Sequence, residues 1–330
     1  MFLLGCTELF LNPKMHLFGQ ENAVWSESIY LRGYKPSTGR KLRNKDLKRY
    51  ASTLKKYNIR YAYLFAGPFE KDGHLPDYSF TDLAKNSIRE LKICYPEIVI
   101  LPWIGGVQNK TVYLNDSIWV KNALSDTKKL IETLNVPGVH IDFEYILKGN
   151  SYLDTTIEPE GPFDKENYAF NVNSFHKALR KLLPNSFISS VVVSTSPDTR
   201  PWKRKTTLDE LSVLVNYIDQ LSFLYYDTGI NSQSVYIQNC IRQIEDIEKL
   251  KNLGTNTQFL MSIGTFINRR ELTEFRDLDI ENITNTLEVF KESTLKVNDS
   301  TKLVDGISIF CDWETSKWEW IKIYDNWSKN

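Results

Sequence analysis

Short apolar runs of strand length alternate with helix-period stretches eight times along this chain of 330 residues. The runs fall at 22–30, 59–66, 98–104, 138–145, 188–193, 217–226, 259–264 and 304–310. Between them, apolar residues recur three and four apart, as in Leu47, Tyr50, Ala51, Leu54 and Tyr57, or Leu83, Ala84, Ile88 and Leu91. No two strand-like runs follow one another directly. Alternation of this kind implies parallel strands covered by helices, because each parallel connection must cross over the sheet. Eight such units suit a closed α/β barrel, the single (β/α)8 TIM barrel. An open doubly wound sheet is the competing architecture, and no Gly-rich phosphate loop follows the first run to favour it. Residues 22–330 therefore read as one barrel domain, preceded by an N-terminal segment at 1–21.

Charge and cysteine usage exclude several functions. Lysine plus arginine and aspartate plus glutamate both number 41, so no electrostatic footprint for nucleic acid exists. The four cysteines, Cys6, Cys94, Cys240 and Cys311, lack metal-ligand spacing and read as buried free thiols rather than a disulfide framework. With four scattered histidines, no metal and no cofactor is expected. No apolar stretch reaches membrane-spanning length. Leu3-Leu4-Gly5-Cys6 resembles a lipobox, in which the cysteine is lipidated after cleavage. Two readings stand: the remnant of a lipoprotein signal, which implies a lipid anchor at Cys6 and a secreted or cell-envelope protein, or the short apolar start of a cytoplasmic one. A monomer is expected.

The fourth run carries the chemistry. In Gly138-Val139-His140-Ile141-Asp142-Phe143-Glu144-Tyr145, strand alternation turns His140, Asp142 and Glu144 to one face and Val139, Ile141 and Phe143 to the other. Three ionisable groups on an otherwise apolar strand are costly unless they pair or work. A carboxylate pair in which one member is held protonated is common equipment for breaking a glycosidic bond. Barrels of this type build their sites at the C-terminal ends of the strands. Asp142 and Glu144 lie at such an end, ahead of a long loop at 147–163. Strand six ends in Tyr226-Asp227, strand three in Gly105-Gly106, and strand eight in Phe310-Cys311-Asp312-Trp313-Glu314. The two glycines would let backbone approach a ligand closely.

At these residues the chain resembles the glycoside hydrolase family 18 chitinases and endo-β-N-acetylglucosaminidases. Their strand-four signature, Asp-x-x-Asp-x-Asp-x-Glu, corresponds to the run from Pro137 to Tyr145. Their strand-six signature sets an Asp eight residues before a terminal Tyr-Asp pair, as Asp219 stands to Asp227. Their Ser-x-Gly-Gly motif corresponds to Trp103-Ile104-Gly105-Gly106. The resemblance implies a retaining mechanism in which the 2-acetamido group of the sugar is the nucleophile, on β-1,4-linked N-acetylglucosamine in chitin, peptidoglycan or N-glycan cores. By position, Glu144 would be the acid and base, Asp142 would orient the acetamido N–H, and Tyr226 would bind its carbonyl. Asp227 would hold the substrate or the catalytic carboxylates. Trp25, His140, Gly105, Gly106, Phe310 and Trp313 would complete substrate contacts.

The chain departs from the family at four positions. Pro137 and His140 replace the first and middle Asp, Phe310 replaces the tryptophan floor, and Trp103 replaces the serine. His140 is expected either as a satisfied inward histidine or as a donor to Asp142 whose charge shifts the pH optimum. Trp25, Trp103 and Trp313, each taken alone, read as core or rim packing more often than as a sugar platform, and His176 and Trp119 read as outer-layer packing. No extra module is visible between strands seven and eight, which suggests a shallow cleft and endo action or a branched or decorated substrate. Two alternatives are weighed: a catalytically inactive chitinase-like carbohydrate-binding protein, and a barrel glycosidase with a second glutamate on strand seven. That strand ends Ser262-Ile263-Gly264-Thr265, without a carboxylate.

Overall fold

The computed structural model describes residues 19–144, 167–195, 205–265, 276–298 and 302–328. Eight parallel strands close in chain order: β1 (Ala23–Ser26), β2 (Tyr61–Pro68), β3 (Val99–Val107), β4 (Gly138–Glu144), β5 (Phe187–Val193), β6 (Gln220–Leu224), β7 (Gln258–Gly264) and β8 (Gly306–Phe310). The ring closes where Ala23 and Val24 pair with Ser308 and Ile309. The helices are α1 (Ile29–Arg32), α2 (Asn44–Lys56), α3 (Asp82–Cys94), α4 (Ser117–Leu134), α5 (Tyr168–Leu182), α6 (Leu208–Leu214), α7 (Gln233–Lys251), α8 (Ile283–Val297) and α9 (Lys317–Ile323). This is the (β/α)8 barrel that the alternation predicts.

Strand ends shift by a few residues from the sequence expectation, most of all in the first and sixth strands. The first strand stops at Ser26, and Ile29–Arg32 coil into one turn closed by Gly33 in the left-handed region at φ 82°. Ile29 and Leu31 are buried there, so the apolar run holds a strand and a helical turn, not one strand. The sixth strand is Gln220–Leu224 rather than 217–226, because Tyr217 N–H still donates to Leu214 at the end of α6. Helix starts follow local capping chemistry. Asp116 accepts from Ile118 N and Trp119 N at 2.8 and 3.2 Å, and Thr207–Glu210 and Ser316–Glu319 form reciprocal capping boxes.

Strand alternation sorts the core into two layers. Ala62, Leu64, Ile100, Val139, Ile141, Phe223 and Ile307 face the helices and pack with Leu54, Ile88, Trp119, Leu130 and Phe175. Trp25, Tyr61, Tyr63, Leu101, Val191, Leu224, Tyr226 and Leu260 fill the barrel interior. Trp119 and His176 are buried on the helix side, as helix periodicity suggests. Cys240 and Cys311 are buried free thiols and Cys94 is a half-buried one. The lipobox-like match at Cys6, the residue Tyr145 and the loop at 147–163 lie outside the described residues. Among the described residues no helix is long and apolar enough to cross a membrane.

Candidate active site

β4 passes from burial to exposure as it climbs: Gly138 to Ile141 are buried, and Asp142, Phe143 and Glu144 are half-buried. Its paired register with β5 ends at Ile141↔Ser190, whereas with β3 it continues through Gly105↔Asp142 to Val107↔Glu144. The two carboxylates therefore stand at the C-terminal mouth of the barrel, on the face of β4 that looks inward, where β4 is paired with β3. Gln108 N–H donates to the Glu144 carbonyl at 2.8 Å and extends that support by one residue.

Gly105 and Gly106 serve this close approach of strands. A Cβ on Gly105, at φ 152°, would stand 1.8 Å from the carbonyl oxygen of Asp142, and one on Gly106, at φ 136°, 2.2 Å from Thr111 Oγ1. The glycines thus admit the β4 backbone and the Thr111 side chain at close range.

Trp103 is the partner of Asp142 that sequence reasoning missed. Its indole N–H donates to Asp142 Oδ2 at 3.1 Å. The indole stands edge-on to Phe65, with centroids 4.6 Å apart, and to Phe310 at 6.4 Å.

His140 lies one layer deeper, fully buried. Trp25 N–H donates to His140 Nε2 at 3.0 Å, which makes Nε2 the acceptor and places the ring proton on Nδ1. Nδ1 in turn reaches Ser189 Oγ at 2.8 Å, and the Ser189 hydroxyl donates to Gln220 Oε1 at 2.9 Å. Tyr63 lies flat on the imidazole, with centroids 3.8 Å apart and planes 8° apart, and donates to the same Gln220 oxygen at 2.5 Å. Burial holds the imidazole well below its ordinary pKa, so the ring is neutral. This corrects the expectation of a histidine that donates to Asp142 and shifts its ionisation. Both ring nitrogens are engaged elsewhere, and the satisfied inward histidine is the reading that holds. Trp25, 1% exposed, sits with it beneath the mouth rather than as a sugar platform.

Phe310, Trp313 and Tyr226 are brought together above this layer. Tyr226, 9% exposed, stacks on Phe310 with centroids 5.3 Å apart and planes at 8°. Trp313 meets Phe310 edge-on at 5.6 Å, and Trp25 does so from below at 6.0 Å. Phe310 and Trp313 are both half-buried.

Asp227 belongs to an ion cluster at the end of β6. It sits in the left-handed region at φ 53°, and its Oδ1 takes Arg276 Nε at 3.0 Å and Nη2 at 2.5 Å. Glu281 accepts from the backbone N–H of Asp227 and, at 3.0 and 2.8 Å, from Thr228 N and Oγ1. Burial pushes the Glu281 carboxyl up to about 7, with Arg276 opposing and the Asp227 charge adding. Arg276 and Glu281 gave no sequence signal, since neither lies in a periodic run. Asp219, the first member of the strand-six signature, is structural. Its Oδ2 accepts from Arg180 Nη2 at 2.5 Å and from Ile188 N at 2.7 Å, at the opposite end of the barrel. Among the described residues no cluster of His, Cys, Asp and Glu is arranged to hold a metal ion.

No family model matches the sequence, and no curated protein does either. The fold is shared with solved structures at low identity. A chitinase from Chromobacterium violaceum is 12% identical with a TM-score of 0.56, covering 92% of this chain and 98% of its own. A family 18 chitinase from Cycas revoluta in complex with (GlcNAc)4 is 11% identical with a TM-score of 0.54, covering 93% and 99%. The spore cortex-lytic enzyme SleL of Bacillus megaterium is 13% identical with a TM-score of 0.54, covering 94% and 74%. The barrel thus has solved neighbours among the family 18 chitinases and related glycoside hydrolases.

Proposed function

We propose that the chain is a glycoside hydrolase that cleaves β-1,4 linkages of N-acetylglucosamine-containing glycans with retention of configuration. The observation that carries this reading is the pair Asp142 and Glu144. They share the inward face of β4 at the mouth of a closed barrel, and Asp142 is already held by a hydrogen bond. In this reading Asp142 accepts from the acetamido N–H and turns the acetamide oxygen toward C1. That oxygen forms a bond to C1 as the glycosidic bond breaks, and Glu144 gives its proton to the leaving oxygen. The Asp142 charge stabilises the cationic ring that results. Water then attacks C1, Glu144 takes its proton back, and the acetamide is released. Two inversions at C1 leave its configuration retained. Tyr226 binds the acetamide carbonyl, Phe310 and Trp313 provide apolar stacking, and Asp227 is the polar edge of the site.

The substrate class is chitin, peptidoglycan glycan or an N-glycan core. Identification of the products separates endo from exo action. Digestion of chitin oligomers, peptidoglycan and high-mannose N-glycans, with products identified by mass, tests the reading. Glu144→Gln should lose about 100-fold or more in kcat on whichever substrate is cut. Absence of cleavage across the whole panel would overturn it. One observation favours a second reading, a carbohydrate-binding barrel without turnover. Tyr226 is packed flat on Phe310 and nearly buried, so an unaltered site presents little of its ring. Binding of (GlcNAc)4 with no product from wild-type protein would select that alternative.

A further inference from the structure

We propose that Trp103 is the positioning residue for Asp142: its indole N–H fixes the carboxylate rotamer that must meet the substrate amide. The inference rests on the reading of Asp142 as the acetamido partner. It comes from three features of the mouth. First, the Trp103 N–H donates to Asp142 Oδ2 at 3.1 Å. Second, the side chain below Asp142 on the same strand face cannot do so, because His140 gives Nδ1 to Ser189 and receives Trp25 on Nε2. Third, the indole has little freedom to turn, since Phe65 and Phe310 flank it edge-on.

The register explains how the indole arrives there. Trp103 pairs with His140, one inward position below Gly105 and Asp142. Gly105 offers no side chain between the indole and the carboxylate, and lets β3 lie against Asp142. An indole N–H is a donor only and does not titrate near neutrality. It therefore holds the carboxylate oxygen without exchanging a proton with it. Among the described residues Glu144 shares the inward face of β4 with Asp142, and Tyr226 stacks on Phe310, which flanks the indole.

Two measurements test the assignment on the full chain. In 15N-labelled protein the Trp103 indole resonance is one of eight and is identified by its loss in Trp103→Phe. Its shift should follow a single carboxylate titration that Asp142→Asn removes. An indole shift indifferent to Asp142→Asn would overturn the proposal. In kinetics on (GlcNAc)4, Trp103→Phe should lower kcat by about tenfold to a hundredfold, the size expected for one hydrogen bond to a charged group. KM should change far less. In the Asp142→Asn background the same substitution should add no further loss. Equal losses in both backgrounds would overturn it. If wild-type protein cuts no substrate, the functional reading fails, and the indole titration alone decides whether Trp103 holds Asp142.

Discussion

Trp25 donates its indole N–H to Nε2 of His140 at 3.0 Å, and that one bond sets the tautomer of an imidazole that burial keeps neutral. The ring is left as the neutral Nδ1–H tautomer, stacked under Tyr63 and chained through Ser189 to Gln220. A buried imidazole in this setting is a fixed part of the barrel interior.

The consequence is a histidine that shapes stability but not the pH–rate profile. The folded state refuses a proton that the unfolded chain takes up near pH 6.5, so stability is present above that pH and declines as pH falls below it. His140→Asn should therefore lower the thermal midpoint while the pH midpoints of kcat stay in place. Trp25→Phe should cost about 1–3 kcal/mol by leaving the buried Nε2 without its donor. Thermal unfolding and a pH–rate series on the same variants check both. Movement of either pH midpoint in His140→Asn would restore a proton-sharing role.

The Asp227–Arg276–Glu281 cluster gives a second prediction. Arg276 is 3% exposed and Glu281 4%, so removing the guanidinium strands two carboxylates against protein. Arg276→Met should cost about 3–5 kcal/mol, the usual effect of breaking a buried pair by deleting one partner. Glu281 already has its carboxyl raised to about 7 by burial, so it is favoured protonated in the folded state. The stability it contributes is full below its unfolded value of 4.5 and is lost as pH rises through about 7. Without Arg276 that loss steepens, so the variant should be penalised more at pH 8 than at pH 5. Equal shifts in thermal midpoint at the two pH values would contradict this account.

Much of this was legible in the sequence because period is a local property. Alternation at 138–145 is enough to put Asp142 and Glu144 on one face, and eight repeats of strand and helix are enough to close a barrel. Partners across strands were not legible, because they depend on register. Nothing in the run Trp103-Ile104-Gly105-Gly106 says that Trp103 pairs with His140 and reaches Asp142, until β3 and β4 are set side by side. The stack of Tyr63 on His140 is hidden for the same reason. Arg276 and Glu281 stand in a connection without period, where no pattern marks a buried ion pair. Gly105 was noticed, but the nearness of the Asp142 backbone was not, since a glycine pair in sequence does not say which strand it faces.

Asp312 offers a prediction about pH and stability away from the chemistry. Burial first, and then the nearby Glu27 charge, push its carboxyl up to about 8. Tyr30 donates to its Oδ2 at 3.3 Å, and its Oδ1 has no partner among the described residues. A carboxyl with a raised folded pKa contributes stability that is full below its unfolded value, 3.8, and lost as pH rises toward about 8. Asp312→Asn removes that dependence while keeping the shape of the side chain. The variant should be more stable than wild type at pH 8, by a few degrees in thermal midpoint, and the difference should shrink toward pH 4. A variant less stable than wild type at pH 8 would show that the carboxylate is paired in its ionised form.

The two glycines at the end of β3 should respond unequally to the same substitution. Both have positive φ, 152° at Gly105 and 136° at Gly106, so an alanine at either is strained. Their neighbours differ. At Gly105 the new Cβ meets the backbone oxygen of Asp142 at 1.8 Å, which can move only if β3 and β4 part. At Gly106 it meets the Thr111 hydroxyl at 2.2 Å, which can rotate aside. Gly105→Ala should therefore cost about 2 kcal/mol or more, and Gly106→Ala about half as much. Because the displaced backbone is that of Asp142, Gly105→Ala should also lower kcat about tenfold or more, while Gly106→Ala leaves Asp142 seated. Denaturant unfolding and steady-state rates on the two variants give the ranking. If Gly106→Ala proved the more damaging in both measurements, the close packing of β3 on Asp142 would not be what positions the carboxylate.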